Sequence, residues 1–158
     1  MKRFILIFLL GAVVLSWACT QEGSTAEKDK GKVAWLTDFE EAKDLAGRKN
    51  LPILVNFSGS DWCGWCMKLS NEVFTQSAFL KYADENLVLF LADFPRQKKQ
   101  DEAIRSQNEK LARRFGLRGF PTVLILDARG NELARTGYQY GGAEKYVEHL
   151  KGLIASGK

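Results

Sequence analysis

From position 38 onward the apolar residues follow two alternating rhythms. Between Asp38 and Ala46, the residues Phe39, Ala42, Leu45 and Ala46 fall on one helical face. Thr37 or Asp38 can cap its start, and Gly47 and Pro52 bracket its end. Ile53-Leu54-Val55-Asn56-Phe57 is a short apolar run that reads as a buried strand. Cys66, Leu69 and Val73 then share a helical face. A second helical piece spans Ser77 to Glu85, with Phe74-Thr75-Gln76 breaking the two. Leu87 to Ala92 is another buried strand. The charged stretch 95–107 reads as a surface insertion leading into a helix from Asn108 to Phe115. Thr122 to Asp127 is a strand, residues 128–131 a turn, and Glu132 to Thr136 the returning arm of a hairpin. Ala143 to Ile154 closes the chain as an amphipathic helix, with Tyr146, Val147, Leu150 and Ile154 on its apolar side. The order α-β-α-β-α-β-β-α predicts an α/β fold. Its central mixed sheet is mostly parallel, with a C-terminal antiparallel hairpin, and is flanked by helices. No internal repeat and no second domain is visible.

The first 32 residues follow neither rhythm. Lys2 and Arg3 precede the apolar run Phe4 to Leu15, the pattern of a secretory signal over residues 1–18. As a helix that run rises only about 18 Å, short of a ~30 Å hydrocarbon core, so an uncleaved anchor is the lesser alternative. Ala18-Cys19 at its end resembles the bacterial lipoprotein cleavage box, although Trp17 is bulky for that box. The resemblance implies lipidation at Cys19; ordinary signal-peptidase cleavage is the other reading. Thr20 to Lys32 has no large apolar residue, so residues 19–32 read as a flexible tether, roughly 20 Å long as a coil. Residues 33–158 form the folded domain.

Composition narrows the chemistry. With 46% hydrophobic and 27% charged residues in 158, the chain is globular and large enough to fold without staples. Losing Lys2 and Arg3 with the leader takes the formal charge from +4 to +2, which is no nucleic-acid stripe. Three cysteines are too few for a disulfide scaffold. A single histidine, His149, excludes a zinc finger with two His and two Cys.

The sharpest feature is Trp62-Cys63-Gly64-Trp65-Cys66, between a predicted strand and a predicted helix. A C-x-x-C in that setting reads as a redox dithiol. Cys63 in the first turn faces unpaired backbone N–H groups and the positive end of the helix dipole, which favour its thiolate. Cys66, three residues on, lies on the same side, less exposed, and can reach the first sulfur. A zinc site lacks ligands, since only Cys19 and His149 remain as candidates, so no metal and no cofactor are expected. A purely structural bridge stays open, although so short a loop gains little in chain entropy.

Arg118-Gly119-Phe120-Pro121-Thr122 stands immediately before a predicted strand. Together, W-C-x-x-C, F-P-T some 55 residues later and the element order resemble the thioredoxin superfamily. Gly59 to Cys66, Glu72-Val73-Phe74 and Asp93-Phe94-Pro95 resemble its branch of bacterial envelope disulfide reductases. The resemblance implies a thioredoxin-like fold from Asp38 to Ile154. It also implies a cis Pro121 facing the dithiol, and a Phe120 backbone that pairs with an extended substrate. Gly64 is part of the active-site motif. Trp62 and Trp65, beside the dithiol, read as an apolar rim for partly folded substrates, against a core reading. Two departures matter. The family's buried acid is here Asn56, and its partner lysine is replaced by an apolar residue within Leu87 to Leu91. The proton acceptor for Cys66 is then Asp61, water or neither. No histidine lies between the cysteines to stabilise the thiolate, which points to a reducing couple. The expected function is a monomeric thiol–disulfide oxidoreductase of the bacterial envelope or periplasm, held by a possible lipid anchor. It mainly reduces disulfide-containing proteins and is recharged by an unidentified electron donor. An oxidase or isomerase, or a peptide-binding module without turnover, are the alternatives.

Overall fold

A computed structural model describes residues 33–157 of the chain. The expected signal, Cys19 and the tether lie outside the described residues. The elements run β1 (Trp35–Leu36), α1 (Phe39–Lys49), β2 (Ile53–Ser58), α2 (Gly64–Leu69), a π turn (Ser70–Phe74), α3 (Ser77–Asn86), β3 (Val88–Asp93), α4 (Glu102–Arg114), β4 (Thr122–Leu126), β5 (Glu132–Thr136) and α5 (Gly142–Ser156).

The strands line up as β1-β3-β2-β4-β5. The apolar runs of β2, β3 and β4 are nearly continuous because both faces of the sheet are covered there. Leu54, Leu89, Val123 and Ile125 face α2, α3 and α5, where Leu69, Phe79, Tyr146 and Leu150 are fully buried or nearly so. Their neighbours Ile53, Val55, Phe57, Phe90 and Leu124 face α1 and α4, against Phe39, Ala42, Leu111 and Phe115. Asn56 shares the alternation of Leu54 and so lies on the face toward α2.

Two expectations need correction. The sheet is mixed as expected, but it is not mostly parallel, since two of its four strand pairings are antiparallel. β1 and β2 pair parallel with β3, while β4 is antiparallel to both β2 and β5. The cause is the path after β3. Asn108 of α4 donates to Asp93 O near the end of β3, and Arg114 at the far end of α4 donates to Gly130 O in the β4–β5 turn. Residues 115–121 then climb back, so Thr122 enters beside Phe57, at the end where β3 left. A helical crossover enforces parallel strands only when no such return follows it. Second, α4 begins at Glu102, capped by Asp101, whose Oδ1 accepts from Ala103 N and Ile104 N. The surface insertion is correspondingly shorter. α1 ends at Lys49, between Gly47 and Pro52 as expected, and is closed by Asn50 in the left-handed region, φ 54°.

Candidate active site

β2 delivers the chain to the site. A turn follows in which Trp62 N and Cys63 N both donate to Gly59 O, at 3.3 and 2.9 Å. Cys63 then caps α2 in an extended conformation. Its Sγ accepts from Cys66 N at 3.2 Å, and the two cysteines form a disulfide with Cα atoms 5.2 Å apart. The N–H that holds the sulfur is shared with Cys63 O at 3.0 Å and belongs to the first turn of the helix, where N–H groups stabilise a thiolate once the bond opens. The first turn of α2 holds no acidic residue to oppose it. Cys63 is 7% exposed and Cys66 3%. The expected order of accessibility holds, but both sulfurs are more sheltered than a surface-facing thiol.

Two carboxylates brace the loop. Asp93 accepts from Ser60 N and Ser60 Oγ, at 2.9 and 2.6 Å. Asp61 accepts from Arg96 N, Gln97 N and Lys98 N, at 3.0, 2.8 and 3.0 Å. These donors, Arg96 N–H foremost, hold the Asp61 carboxyl below the usual carboxylate range. Asp61 therefore anchors the 96–98 loop, and its low proton affinity makes it a poor acceptor for the Cys66 proton.

The two tryptophans differ. Trp62 is half-buried. Its Nε1 donates to Phe94 O at 2.7 Å, and its ring meets Phe120 edge-on at 5.5 Å. That contact joins the dithiol motif to Phe120-Pro121, whose peptide bond is cis as expected. Trp65 is 50% exposed and fits the rim reading, beside Tyr138 and the 75% exposed Tyr140. Each tryptophan also carries a cation. Arg96 Cζ lies 3.8 Å above the Trp62 ring. Lys68 Nζ lies 5.1 Å from the Trp65 ring, 5.2 Å from Tyr138 and 5.5 Å from Tyr140. Tyr138 donates its hydroxyl proton to Glu72, which pushes its phenol up to about 12. Sequence reasoning missed Arg96, Lys68, Tyr138 and Tyr140. Only Lys68 left a signal, one helical turn after Trp65.

On the Cys66 side lies a cleft of about 480 Å³, lined by Trp35, Asn56, Ser58, Cys66, Phe74 and Leu91. Asn56 is 6% exposed, and its Oδ1 is the one buried side-chain polar atom among the described residues without a hydrogen bond. Among the described residues no three His, Cys, Asp or Glu groups cluster as a metal site would require. No helix among them is long and apolar enough to cross a membrane.

Comparison with known proteins agrees with this geometry. The family model described as a thioredoxin-like domain matches residues 39–153. Disulfide bond reductase DsbH of Chlamydia pneumoniae is 34% identical over 116 residues, covering 73% of this chain and 70% of the relative. Thioredoxin-related protein DsbJ of the same organism is 31% identical over 129 residues, 82% of this chain but 37% of the relative. A solved structure titled DsbH Oxidoreductase superposes with a TM-score of 0.75 at 33% identity, covering 79% of this chain and 86% of the other.

Proposed function

The chain belongs to the thioredoxin-like domain family, and we propose that this thiol–disulfide oxidoreductase works mainly as a reductase of protein disulfides. The carrying observation is the Cys63–Cys66 bridge at the start of α2, with Cys63 Sγ held by the Cys66 N–H. In the dithiol state the Cys63 thiolate attacks one sulfur of the substrate disulfide. The substrate S–S bond breaks, its outer sulfur leaves as a thiolate that takes up a proton, and Cys63 is joined to substrate. Cys66 loses its proton to solvent or the departing sulfur and attacks Cys63. The mixed disulfide breaks, the second substrate sulfur leaves, and the Cys63–Cys66 bridge forms. Two electrons have passed to the substrate, and an external thiol donor must return them.

Trp62 and Gly64 shape the motif. Trp65, Phe120 and Pro121 form the substrate-facing rim. Phe120 N–H donates to no group among the described residues, which leaves it available to an extended substrate. The reducing direction is supported by the absence of histidine between the cysteines and by likeness to a relative named as a disulfide bond reductase. A second reading, oxidase or isomerase, is favoured by Arg96 and Lys68, because cations on the tryptophans that flank the dithiol favour its reduced, thiolate form. The potential of the couple against glutathione separates them. A value near that of thioredoxin, about −270 mV, supports the reductase; about −180 mV or higher supports the second reading. In an insulin-reduction assay Cys63→Ser should be inactive and Cys66→Ser should accumulate mixed disulfides. Full activity in Cys63→Ser removes the proposal. We place the domain in the bacterial envelope, tethered by a lipid on Cys19. Fatty-acid labelling that persists in Cys19→Ala would remove that part.

A further inference from the structure

We propose that Arg96 and Lys68, each resting on one of the two tryptophans around Cys63, form a cationic rim that selects disulfide-bearing segments carrying Asp or Glu beside the target cysteine. The inference rests on the reading of the dithiol as a protein-disulfide reductant. It adds the chemistry of the segment preferred.

Arg96 is the stronger element. Its guanidinium carbon lies 3.8 Å from the Trp62 ring centroid, and the residue is exposed. Among the described residues it has no ion-pair partner. Stacking on an indole leaves the N–H edge of a guanidinium free for a carboxylate. The cation is also held in place, because Asp61 fixes its backbone and those of Gln97 and Lys98. Lys98, Lys99 and Arg118 are exposed on the flanking segments and likewise lack ion-pair partners among the described residues. Lys68 is weaker. It is caged by Trp65, Tyr138 and Tyr140, and Glu72 Oε1 lies 3.8 Å from its Nζ. The nearby anions are Asp61, Asp93 and Glu72, all already accepting hydrogen bonds from this chain. These carboxylates keep their charge, but Arg96, Lys68, Lys98, Lys99 and Arg118 outnumber them, so the rim is net positive. An extended segment crossing Phe120 passes Trp62, which touches Phe120 at 5.5 Å, and meets Arg96 first.

The test uses peptides of one length in which a central cysteine carries a chromogenic aryl thiol as a mixed disulfide. Asp, Ser or Lys flanks that cysteine. Rates are referenced to reduction of the same peptide by dithiothreitol, which removes intrinsic effects of flanking charge. Binding of the matching Cys→Ser peptides is followed separately by anisotropy. Two weak exposed contacts predict a preference of about fivefold for the Asp peptide over the Lys peptide in low salt. The preference should fade in 0.5 M salt, about where screening becomes short-ranged. Arg96→Gln should lower the ratio most, Lys68→Gln less, and Arg96→Lys, which keeps the charge but not the stacked fork, should retain part of it. Equal referenced rates for Asp and Lys peptides, or a ratio unmoved by Arg96→Gln, would overturn the proposal. If no peptide is reduced yet Asp peptides still bind best in an Arg96-dependent way, the rim stands and the reductase reading falls.

Discussion

Gly59 is the point where the site tolerates no added atom. An alanine Cβ there would lie 2.4, 2.6 and 2.7 Å from three atoms of the Trp62 indole, where ordinary contact begins at 3.4 Å. Its backbone lies outside the left-handed region, so space and not conformation forbids the side chain. In Gly59→Ala the indole must move by about 1 Å or more. That breaks the 2.7 Å bond from Nε1 to Phe94 O and loosens the contacts with Phe120 and Arg96. Overpacking costs about 1–3 kcal/mol and a lost half-buried hydrogen bond about 1 kcal/mol; the indole can swing toward solvent, so about 2–4 kcal/mol is expected in all. Urea unfolding reads this as a lower midpoint at constant slope. The decisive comparison is a double-mutant cycle. In a Trp62→Ala background the same Gly59→Ala change should cost less than about 0.5 kcal/mol, because the obstructing ring is gone. An equal loss in both backgrounds would refute the steric account and leave Gly59 important for some other reason.

Asn56→Leu replaces a buried amide whose Oδ1 has no partner, so it should raise stability by about 1–2 kcal/mol in urea melts; a loss of stability would mean that the amide is satisfied in solution. The Tyr138 phenol stands at about 12, above its ordinary 10.0, because it donates to Glu72. Its proton is bound more tightly in the folded state, so this stabilisation is complete below pH 10 and disappears as pH rises from 10 to about 12. Absorbance titration should show a late phenol step that Tyr138→Phe removes and Glu72→Gln moves toward pH 10; amplitude lost near pH 10 in Tyr138→Phe would contradict the pairing.

The central strands were legible because burial on both faces turns them into nearly unbroken apolar runs, such as Ile53 to Phe57, with Asn56 the lone polar residue, and Val123 to Leu126. The dithiol was legible because its spacing and its place after such a run carry the chemistry. β1 was missed because two residues show no period. The start of α4 was missed because its inward face is partly polar. Gln107 hydrogen-bonds Phe39 N and Thr37 O, and the buried Asn108 donates to Asp93 O. A hydrophobic period does not register such a face. The direction of β4 depended on the return through residues 115–121, which no local pattern encodes. Arg96 and Tyr138 reach the tryptophans from other segments of the chain, and a cation over a ring leaves no mark in spacing.

On the proposed function, the sulfur chemistry and the Phe120 part of the substrate grip sit on separate segments of the chain. The first is built where β2 passes into α2; the second is set down by the climbing segment that ends at the cis Phe120–Pro121 bond. One ring-to-ring contact, Trp62 on Phe120, links them. The climbing segment can therefore change length or side chains and re-aim the grip without disturbing the helix start that tunes the thiolate. A protein assembled this way can acquire new clients while its electron chemistry stays the same.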